Sequence, residues 1–579
     1  MHIQAIPNRK AAPTILLRES YREGKKVRKK TLANLTHWPS TLVETLRLAL
    51  TGEALVPKEK ILRIERSKPH GHVDALLTFM RHIGLEKMIG STPGKERDLV
   101  MAMLVERLIH SSSKLATTRL WHSSTLAEEM GVEACDENDL YAALDWLLER
   151  QERIEGKFAA RHLQEGSYAL YDTSSSYFEG SQCPLATFGH NKDGKRGKKI
   201  VVYGLLTDRL GCPVSIHAYP GNTSDPNTMA DQVRTLKERF GLSQVTLVGD
   251  RGVLTQARID ALGAIPGIGF LSALRSTSIR ALVENGDIQM SLFDTQNLCE
   301  IASEEYPGER LVACFNPLLA AERARKRQAL LEATEEKLEA IAKDVGRRKE
   351  KLLSKEGIAL RVGRVIDRYK MRKHFDLVFG DDYFSFARDA ASIEREAALD
   401  GIYVLRTNVK KEVLSAEDTV VTYKSLSQVE RAFRSMKGMD IRIRPIRHFT
   451  EEHVRAHIFL CMLAYYVEWH LRKALGALLY DDTELDLERW VRDPVKPAKG
   501  SRSAMEKKKT GEAVDGFEVH SFETMMVELA TRCRHTCSTP GSQGMTFTME
   551  TEPTPWQTKV VDLLKAYAPG TVYPVNAKS

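Results

Sequence analysis

Apolar residues recur at three-and-four spacing in the first third of the chain. Three segments between His72 and His162 share this pattern: VDALLTFMRHI, DLVMAMLVERLIH and NDLYAALDWLLERQERI. The spacing predicts amphipathic helices. We therefore expect a helical domain over 66–160, which either serves packing and oligomerisation or binds DNA. Before it, residues 1–65 hold two β-prone runs around REGK, which predict a small basic hairpin.

The pattern then changes to that of strands. The runs SYALYDTSS, KIVVYGLLTD and PVSIHAYPG are joined by polar turns and predict an antiparallel meander. A helix, the strand QVTLVGDRG, another helix and the strand GIGFLSALR follow. This order predicts an α/β core with a first part over 161–282 and a second over 401–480. It allows Asp172 of the first strand to lie beside Asp250, which ends the fourth.

Regular alternation is lost between the two parts of the predicted core, so we interpret 283–400 as an insertion. It contains 17 Lys/Arg and 9 Asp/Glu between Ala321 and Phe375, a net of 17 − 9 = +8, which equals the net charge of the whole chain. The segment has helical spacing and is either a solvated arm or an arm that follows a phosphate backbone. The basic residues chosen for DNA contact are Arg347, Arg348 and Lys349. Residues 481–579 predict a polar linker with short helices.

Three acidic residues carry the candidate chemistry. Asp172 and Asp250 are delivered by strands, and Glu430 lies in YKSLSQVERAFRSMK, which predicts a helix. Carboxylate oxygens are the ligands that Mg²⁺ prefers, and paired ions can promote displacement at a phosphodiester. The pattern thus favours an enzyme that cuts or joins a nucleic-acid backbone.

The neighbours of Glu430 on this helix fit either of two interpretations. Arg434 and Lys437 lie within about 60° of Glu430 on the helical wheel. They either form surface ion pairs with Glu430 or bind phosphate beside it. Ser425 with Gln428, or Ser427 with Glu430, predicts a capping-box start.

Composition excludes several other classes of protein. Apolar content of 42% with 28% charged residues is typical of a globular chain. The longest apolar run, Ile458–Val467, is too short to span a bilayer. The eight cysteines are scattered, which favours reduced thiols. In RCRHTC, Cys533 and Cys537 flank His535, but a zinc site needs further ligands at matching spacing. We expect no membrane association and a cytoplasmic location.

The motif YKSLSQVERAFRSMKG resembles the Tyr, Arg, Glu, Lys signature of DDE transposases of the insertion-sequence-four superfamily. Tyr423, Glu430 and Lys437 follow one another at intervals of seven. The segments YDTSSSYFEG, GLLTDRLGCPVSIHAYPGNTSD, TLVGDRG and DGIYVLRTN are also similar to that family, with the insertion-sequence-1634 group as the nearest match.

The resemblance implies an RNase H-like core, a mixed sheet flanked by helices that is interrupted by the insertion. It implies two Mg²⁺ ions, replaceable by Mn²⁺, on Asp172, Asp250 and Glu430. Tyr423 and Lys437 would position phosphate. The implied partners are double-stranded terminal inverted repeats and target DNA, with a homodimer in a synaptic complex near the bacterial nucleoid. Lys192, in the loop FGHNKDGKRGKK, either meets DNA or is solvated.

One position departs from the family signature. Its Arg falls on Leu426, which either packs on the sheet or faces the site, and the wheel angle of about 40° from Glu430 favours the site. Lys424 or Arg434 could replace the missing charge. Two alternative functions stay open, a nuclease of the same fold without strand transfer and a catalytically inactive DNA-binding derivative.

Overall fold

The chain, in a computed structural model, forms two compact units. The smaller unit contains Met1–Pro69 and Arg532–Glu552, and the larger contains His70–Thr531 and Pro553–Ser579. The candidate metal ligands all belong to the larger unit. The described residues are 1–8, 12–52, 62–293, 296–347, 354–438, 440–485, 493–496, 499–539 and 545–570.

Two antiparallel sheets and one helix make up the described part of the smaller unit. Strands β2 (Thr14–Glu23) and β3 (Lys26–Asn34) pair as the predicted hairpin, and β1 (His2–Ile6) adds a third strand. The second sheet joins a strand that precedes the larger unit to two strands from the C-terminal region. RCRHTC thus lies in a strand, where the sequence predicted a linker with helices. The elements are β1 (His2–Ile6), β2 (Thr14–Glu23), β3 (Lys26–Asn34), α1 (Ser40–Leu50), β4 (Arg63–Pro69), β15 (Cys533–Ser538) and β16 (Thr546–Glu550).

The larger unit begins with helices packed around a long C-terminal partner. Its first helices are α2 (Gly71–His82), α3 (Leu85–Ile89), α4 (Lys95–Ile109), α5 (Lys114–Leu120), α6 (Leu126–Met130), α7 (Glu137–Leu148) and α8 (Gln151–His162). The stretch LVMAMLV of α4 is apolar on every side and is buried throughout. Helix α17 (Glu451–Leu475) packs against α4 and α7, and its apolar run is equally buried. Complete burial explains why neither helix is strongly amphipathic.

A mixed sheet of eight strands, all within the described residues, forms the centre of the larger unit. Strand β8 (Val245–Gly249) pairs in parallel with β5 (Ser167–Tyr177) and with β9 (Ile268–Ala273), and the other pairs are antiparallel. The class is α/β, as predicted. From edge to edge the strands are β10 (Leu298–Ile301), β11 (Arg310–Phe315), β14 (Ile402–Thr407), β9 (Ile268–Ala273), β8 (Val245–Gly249), β5 (Ser167–Tyr177), β6 (Ile200–Thr207) and β7 (Pro213–Pro220). Helices α9 (Met229–Arg234), α10 (Gln256–Gly263) and α11 (Ser276–Glu284) lie between strands in the chain.

The segment predicted as one insertion, 283–400, divides into two parts. Its first strands, β10 and β11, extend the central sheet because β11 finds a partner in β14. The remainder forms a module with its own apolar core, which includes Leu338, Val362 and Phe375. The module consists of α12 (Pro317–Arg347), α13 (Lys355–Tyr369), β12 (Phe375–Gly380), β13 (Tyr383–Arg388) and α14 (Ala390–Ala397).

The Glu helix follows directly on another helix. Helix α15 (Ala416–Lys424) leads into α16 (Leu426–Lys437) through Ser425, whose backbone is itself helical (φ −65°, ψ −16°). The predicted capping boxes are wrong, since no side-chain cap bond forms at Ser425. The preceding turn satisfies the first amides instead, with the Gln428 amide donating to the Ser425 carbonyl at 2.8 Å.

Helix α16 docks on the sheet through one apolar face. Val429 and Phe433 are buried, and Phe433 meets the ring of Tyr203 on β6 edge-on, with centroids 5.8 Å apart. On the β6–β7 turn, Gly211 has φ +84°, and a Cβ there would lie 2.7 Å from the Cβ of Gln428. The turn and the helix therefore meet at a distance that only glycine permits.

The C-terminal region adds three helices to the larger unit: α18 (Arg502–Thr510), α19 (Phe522–Ala530) and α20 (Pro555–Ala566). Within the described ranges, no helix is long and apolar enough to cross a membrane. All eight cysteines are free thiols.

We expect Gly211→Ala to destabilise the fold more than Gly241→Ala. Both glycines have positive φ, but a Cβ at Gly241 meets nothing within 4 Å. Left-handed backbone with a side chain costs about 1–2 kcal/mol in either variant. Only Gly211→Ala adds the collision with α16, so its free energy of unfolding, measured by denaturant titration, should fall further. Equal losses would mean that the turn yields without disturbing the helix.

Candidate active site

Two of the candidate ligands are brought together by strand register. In the parallel β5–β8 pair, Tyr171 is the partner of Gly249, and Asp172 and Asp250 are the next residues on their strands. Neighbouring strands lie about 4.8 Å apart. The two carboxylates therefore start from adjacent backbone positions at the point where β8 ends.

Tyr423, on α15, lies near the charges of all three candidate ligands. Burial, together with the carboxylates of Asp250, Glu430 and Asp172, raises the pKa of Tyr423 to about 12, while Arg251 lowers it. The phenol is therefore neutral at pH 7 and can donate a hydrogen bond. Glu430 itself is exposed. Helix α16, which carries Glu430, packs against β5, the strand of Asp172.

Asp172 has the electrostatics of a carboxylate that requires a cation or a proton. Its pKa is raised to about 7, first by burial and then by the charges of Asp250 and Asp225, while Lys192 lowers it. Burial and like charge both disfavour the ionised form. A divalent cation would relieve both effects, so the residues present fit the ions that the sequence predicts.

The spacing of the acids is wider than that of ligands around a single ion. Among the described residues, only His162, Cys212 and His470 bring three ligand atoms of this kind within 4.8 Å of one another. The Asp172, Asp250 and Glu430 oxygens are thus not gathered so tightly. Ions in paired sites lie about 3.5–4 Å apart, and ligands that surround two ions are spread accordingly.

Asp250 is oriented by its own turn. Its Oδ1 accepts hydrogen bonds from the backbone amides of Gly252, at 2.9 Å, and Val253, at 2.8 Å. The side chain is otherwise exposed. This Asx-type turn fixes the carboxylate beside Asp172 without burying it.

Lys192 is held beside Asp172. Its ammonium donates to the carbonyl and hydroxyl of Thr173, at 2.9 Å each, and lies 3.2 Å from Asp225 Oδ2. The Thr173 hydroxyl donates to Asp225 Oδ1 at 2.7 Å. Sequence reasoning gave no signal of this contact. Asp225 lies close to the site because it begins a 3₁₀ turn, Asp225–Thr228, that meets β5 at Thr173.

Lys437 is anchored by a buried acid that sequence reasoning missed. Its Nζ lies 3.0 Å from Asp193 Oδ1, which also pairs with Arg444. Asp193 Oδ2 accepts from the Tyr177 amide at 3.2 Å. Burial lowers the pKa of Lys437, opposed by Asp193. Lys437 is thereby fixed near Tyr177, the last residue of β5.

Other predicted contacts are placed differently. Arg434 is exposed on α16, and Arg347 is exposed at the end of α12, while Arg348 and Lys349 lie outside the described residues. Leu426 is partly buried and packs against the main apolar core. The Lys424 ammonium donates to the carbonyls of Val495, at 3.0 Å, and Lys496, at 3.1 Å.

Comparison with known proteins gives the family. The profile of the transposase DDE domain matches residues 172–467, which begin at Asp172, and the profile of the N-terminal domain of IS1634 family transposases matches residues 3–58. The chain belongs to the DDE transposases of the IS1634 group. The transposase therefore acts on DNA, in a family that uses divalent metal ions, and its central sheet is an RNase H-like core.

Two further comparisons add nothing to this assignment. No curated protein matches the transposase. One solved structure, a cryo-EM structure of a piggyBac transposase synaptic complex with hairpin DNA, is similar over 79% of this chain and 76% of that chain, with 9% identity and a TM-score of 0.33. A similarity this low supports no argument about the site.

We expect Asp172→Asn to stabilise the metal-free transposase in a pH-dependent manner. Between about pH 4 and pH 7 the unfolded chain releases the Asp172 proton while the folded chain keeps it, so wild-type stability falls as pH rises through this window. The gain in Tm of Asp172→Asn should therefore grow from pH 4 to pH 7 and stay level above it. Asp260→Asn, at an exposed position of α10, is the matched control. A gain that does not change with pH would contradict the electrostatic account.

Proposed function

We propose that this transposase cuts DNA at the ends of its own element and joins those ends to target DNA. Asp172, Asp250 and Glu430 would hold two Mg²⁺ ions, which Mn²⁺ can replace. The observation that supports this most directly is the register of β5 and β8, since it sets the two aspartates side by side. The charges of all three acids act on Tyr423.

The protein groups divide the work of phosphodiester displacement. When bound, the cations supply Lewis acidity for the attacking hydroxyl and charge neutralisation for the leaving oxygen. The neutral phenol of Tyr423 donates a hydrogen bond to a phosphate oxygen. Lys192, fixed on Thr173 and Asp225, offsets the negative charge beside Asp172. Lys437 presents its ammonium to the phosphodiester from its anchored position on Asp193.

The charge that the family signature places at position 426 comes from another residue. Leu426 is packed against the core, and Lys424 is bound to backbone carbonyls. Arg251 is exposed, directly follows Asp250, and its charge reaches Tyr423. We assign to Arg251 the role of phosphate clamp, with Arg434 on the exposed face of α16 as a second contact.

The inserted module supplies a separate surface for DNA. It contains the segment 321–375, whose net charge of +8 equals that of the whole chain, and Arg347 is exposed at the end of α12. Clustered basic side chains bind phosphates with release of counterions. Double-stranded element ends and target DNA are the proposed partners, bound by a homodimer in which two ends are paired.

The proposal is tested on a DNA fragment that carries the element's own ends. Asp172→Asn, Asp250→Asn and Glu430→Gln should each lower Mg²⁺-dependent cleavage by at least about 100-fold, by analogy with the loss of a main electrostatic contribution. DNA affinity, measured by fluorescence anisotropy, should stay within a few-fold. Glu452→Gln, at an exposed position of α17, is the control. Glu430→Gln with normal cleavage would show that another residue completes the site.

The products of the same assay separate the alternatives. Cleaved ends together with joined products indicate a full transposase. Cleavage without joining would identify a nuclease of the same fold, and binding without cleavage in Mg²⁺ or Mn²⁺ would identify an inactive DNA-binding derivative.

The basic arm gives an independent prediction. Replacing Arg347, Arg348 and Lys349 by Ala should weaken binding to all DNA sequences similarly. It should also lower the slope of log Kd against log salt by up to about 3, since each phosphate contact contributes about 0.9. Replacement of the two arginines by Lys keeps the charge and should keep the slope. An unchanged slope in the Ala variant would show that the arm is solvated and does not contact phosphates.

A further inference from the structure

Three side chains of the kinds that bind metals meet from distant parts of the chain, at the turn between β6 and β7. His162 ends α8, Cys212 lies in the turn between β6 and β7, and His470 is on α17. One ligand atom from each lies within 4.8 Å of the other two. Cys212 and His470 are buried, and the His162 side chain is only 7% exposed. None of these residues belongs to the proposed DNA-cleaving site.

The distances match the edges of a metal coordination polyhedron. Cys212 Sγ lies 3.6 Å from His162 Nε2 and 3.9 Å from His470 Nε2. In a tetrahedral zinc site with Zn–S of about 2.3 Å and Zn–N of about 2.0–2.1 Å, sulfur and nitrogen ligands are about 3.6 Å apart. Both histidines turn the same nitrogen, Nε2, towards the sulfur.

The opposite nitrogen of each ring faces an oxygen atom, at hydrogen-bond distance for His470 and at ion-pair distance for His162. His162 Nδ1 lies 3.6 Å from Asp208 Oδ2, and His470 Nδ1 lies 2.7 Å from the Tyr567 hydroxyl. A metal-binding histidine is typically oriented in this way by a carboxylate or another oxygen on its second nitrogen. The rings therefore already have the orientation in which both Nε2 lone pairs face Cys212.

Asp208 also shapes the turn that carries the sulfur. Its Oδ1 accepts hydrogen bonds from the amides of Leu210 and Cys212, at 2.8 Å each. One carboxylate thus orients a histidine and fixes the cysteine. The Tyr466 hydroxyl accepts from Arg161 at 3.2 Å and lies 3.1 Å from His162 Nε2, so a polar oxygen stands beside the three ligands.

We propose that Cys212, His162 and His470 form a binding site for a Zn²⁺-type divalent ion, with a fourth position next to Tyr466. A thiolate with two imidazoles selects borderline and soft cations, whereas Mg²⁺ prefers oxygen ligands. The site is structural and separate from the carboxylates of the DNA-cleaving site. It fastens α8 and α17 to the β6–β7 turn, whose Gly211 touches α16 at Gln428.

Co²⁺ is the probe, because its absorption reports the ligands directly. The full-length protein, freed of metal by chelation under reducing conditions, is titrated with Co²⁺ in excess Mg²⁺. We expect one Co²⁺ per chain, with sulfur-to-cobalt charge-transfer absorption and intense visible bands of a four-coordinate ion. Added Zn²⁺ should displace Co²⁺ and raise the Tm.

Variants assign the signal to the cluster. Cys212→Ser should abolish the charge-transfer band, and His470→Gln should lower Co²⁺ affinity by 10-fold or more. Cys314→Ser, at another buried cysteine on β11, should leave the band intact, as should Asp172→Asn. Wild-type protein without a charge-transfer band overturns the proposal without any variant. A band that survives Cys212→Ser in folded protein also overturns it, and folding is checked by circular dichroism.

Discussion

The parallel pairing of β5 with β8 is the constraint on which the candidate site depends. Backbone hydrogen bonds set the Tyr171–Gly249 register, and a slip of one residue would turn one carboxylate to the opposite face of the sheet. Buried apolar residues on both strands hold that register. The position of Glu430 is set more indirectly, through the apolar face of α16, and so depends on side-chain packing where the aspartates depend on the backbone.

The charges around Asp172 have opposing effects on its ionisation. Asp172 lies close to Asp250 and Asp225, and its surroundings disfavour ionisation. Lys192 and Lys437 do not cancel that charge freely, because each is tied to a second acid, Asp225 or Asp193. The lysines are thereby held in fixed positions. The result is a group of acids flanked by positive charges, an arrangement that suits the proposed cations and phosphodiester.

Much of this arrangement could be predicted from sequence, for reasons that differ by residue. Asp172 and Asp250 follow strands with clear apolar patterns, and strand order alone suggests that they meet. The start of α16 could not be predicted from the sequence, because Ser425 is a residue type that often caps a helix. Only the structure shows that α15 continues into Ser425, so that backbone carbonyls satisfy the first amides and no side-chain cap is needed. Strands β10 and β11 were predicted to belong to an insertion because β14, the strand that pairs β11 with the central sheet, lies about ninety residues after β11.

Contacts between distant residues were the hardest to predict. Asp193 and Arg444 stand in loops and Asp225 begins a short 3₁₀ turn, so no periodicity indicates their partners. The cysteine–histidine cluster shows the same limit. RCRHTC has the local appearance of a metal motif, yet its residues lie along β15 and bring no three ligand atoms together in the described structure. His162, Cys212 and His470 have no common motif, and only the fold brings them together.

The junction of β11 with β14 has an evolutionary consequence. Phe315 pairs with Ile402, so the chain leaves the sheet and returns to it at neighbouring positions. Everything between them, including the basic segment 321–375, is topologically one enlarged hairpin loop. Such an excursion can grow, shrink or change sequence while its two anchor points stay fixed. Changes in this module can therefore leave the register of β5 and β8, and with it the positions of Asp172 and Asp250, untouched.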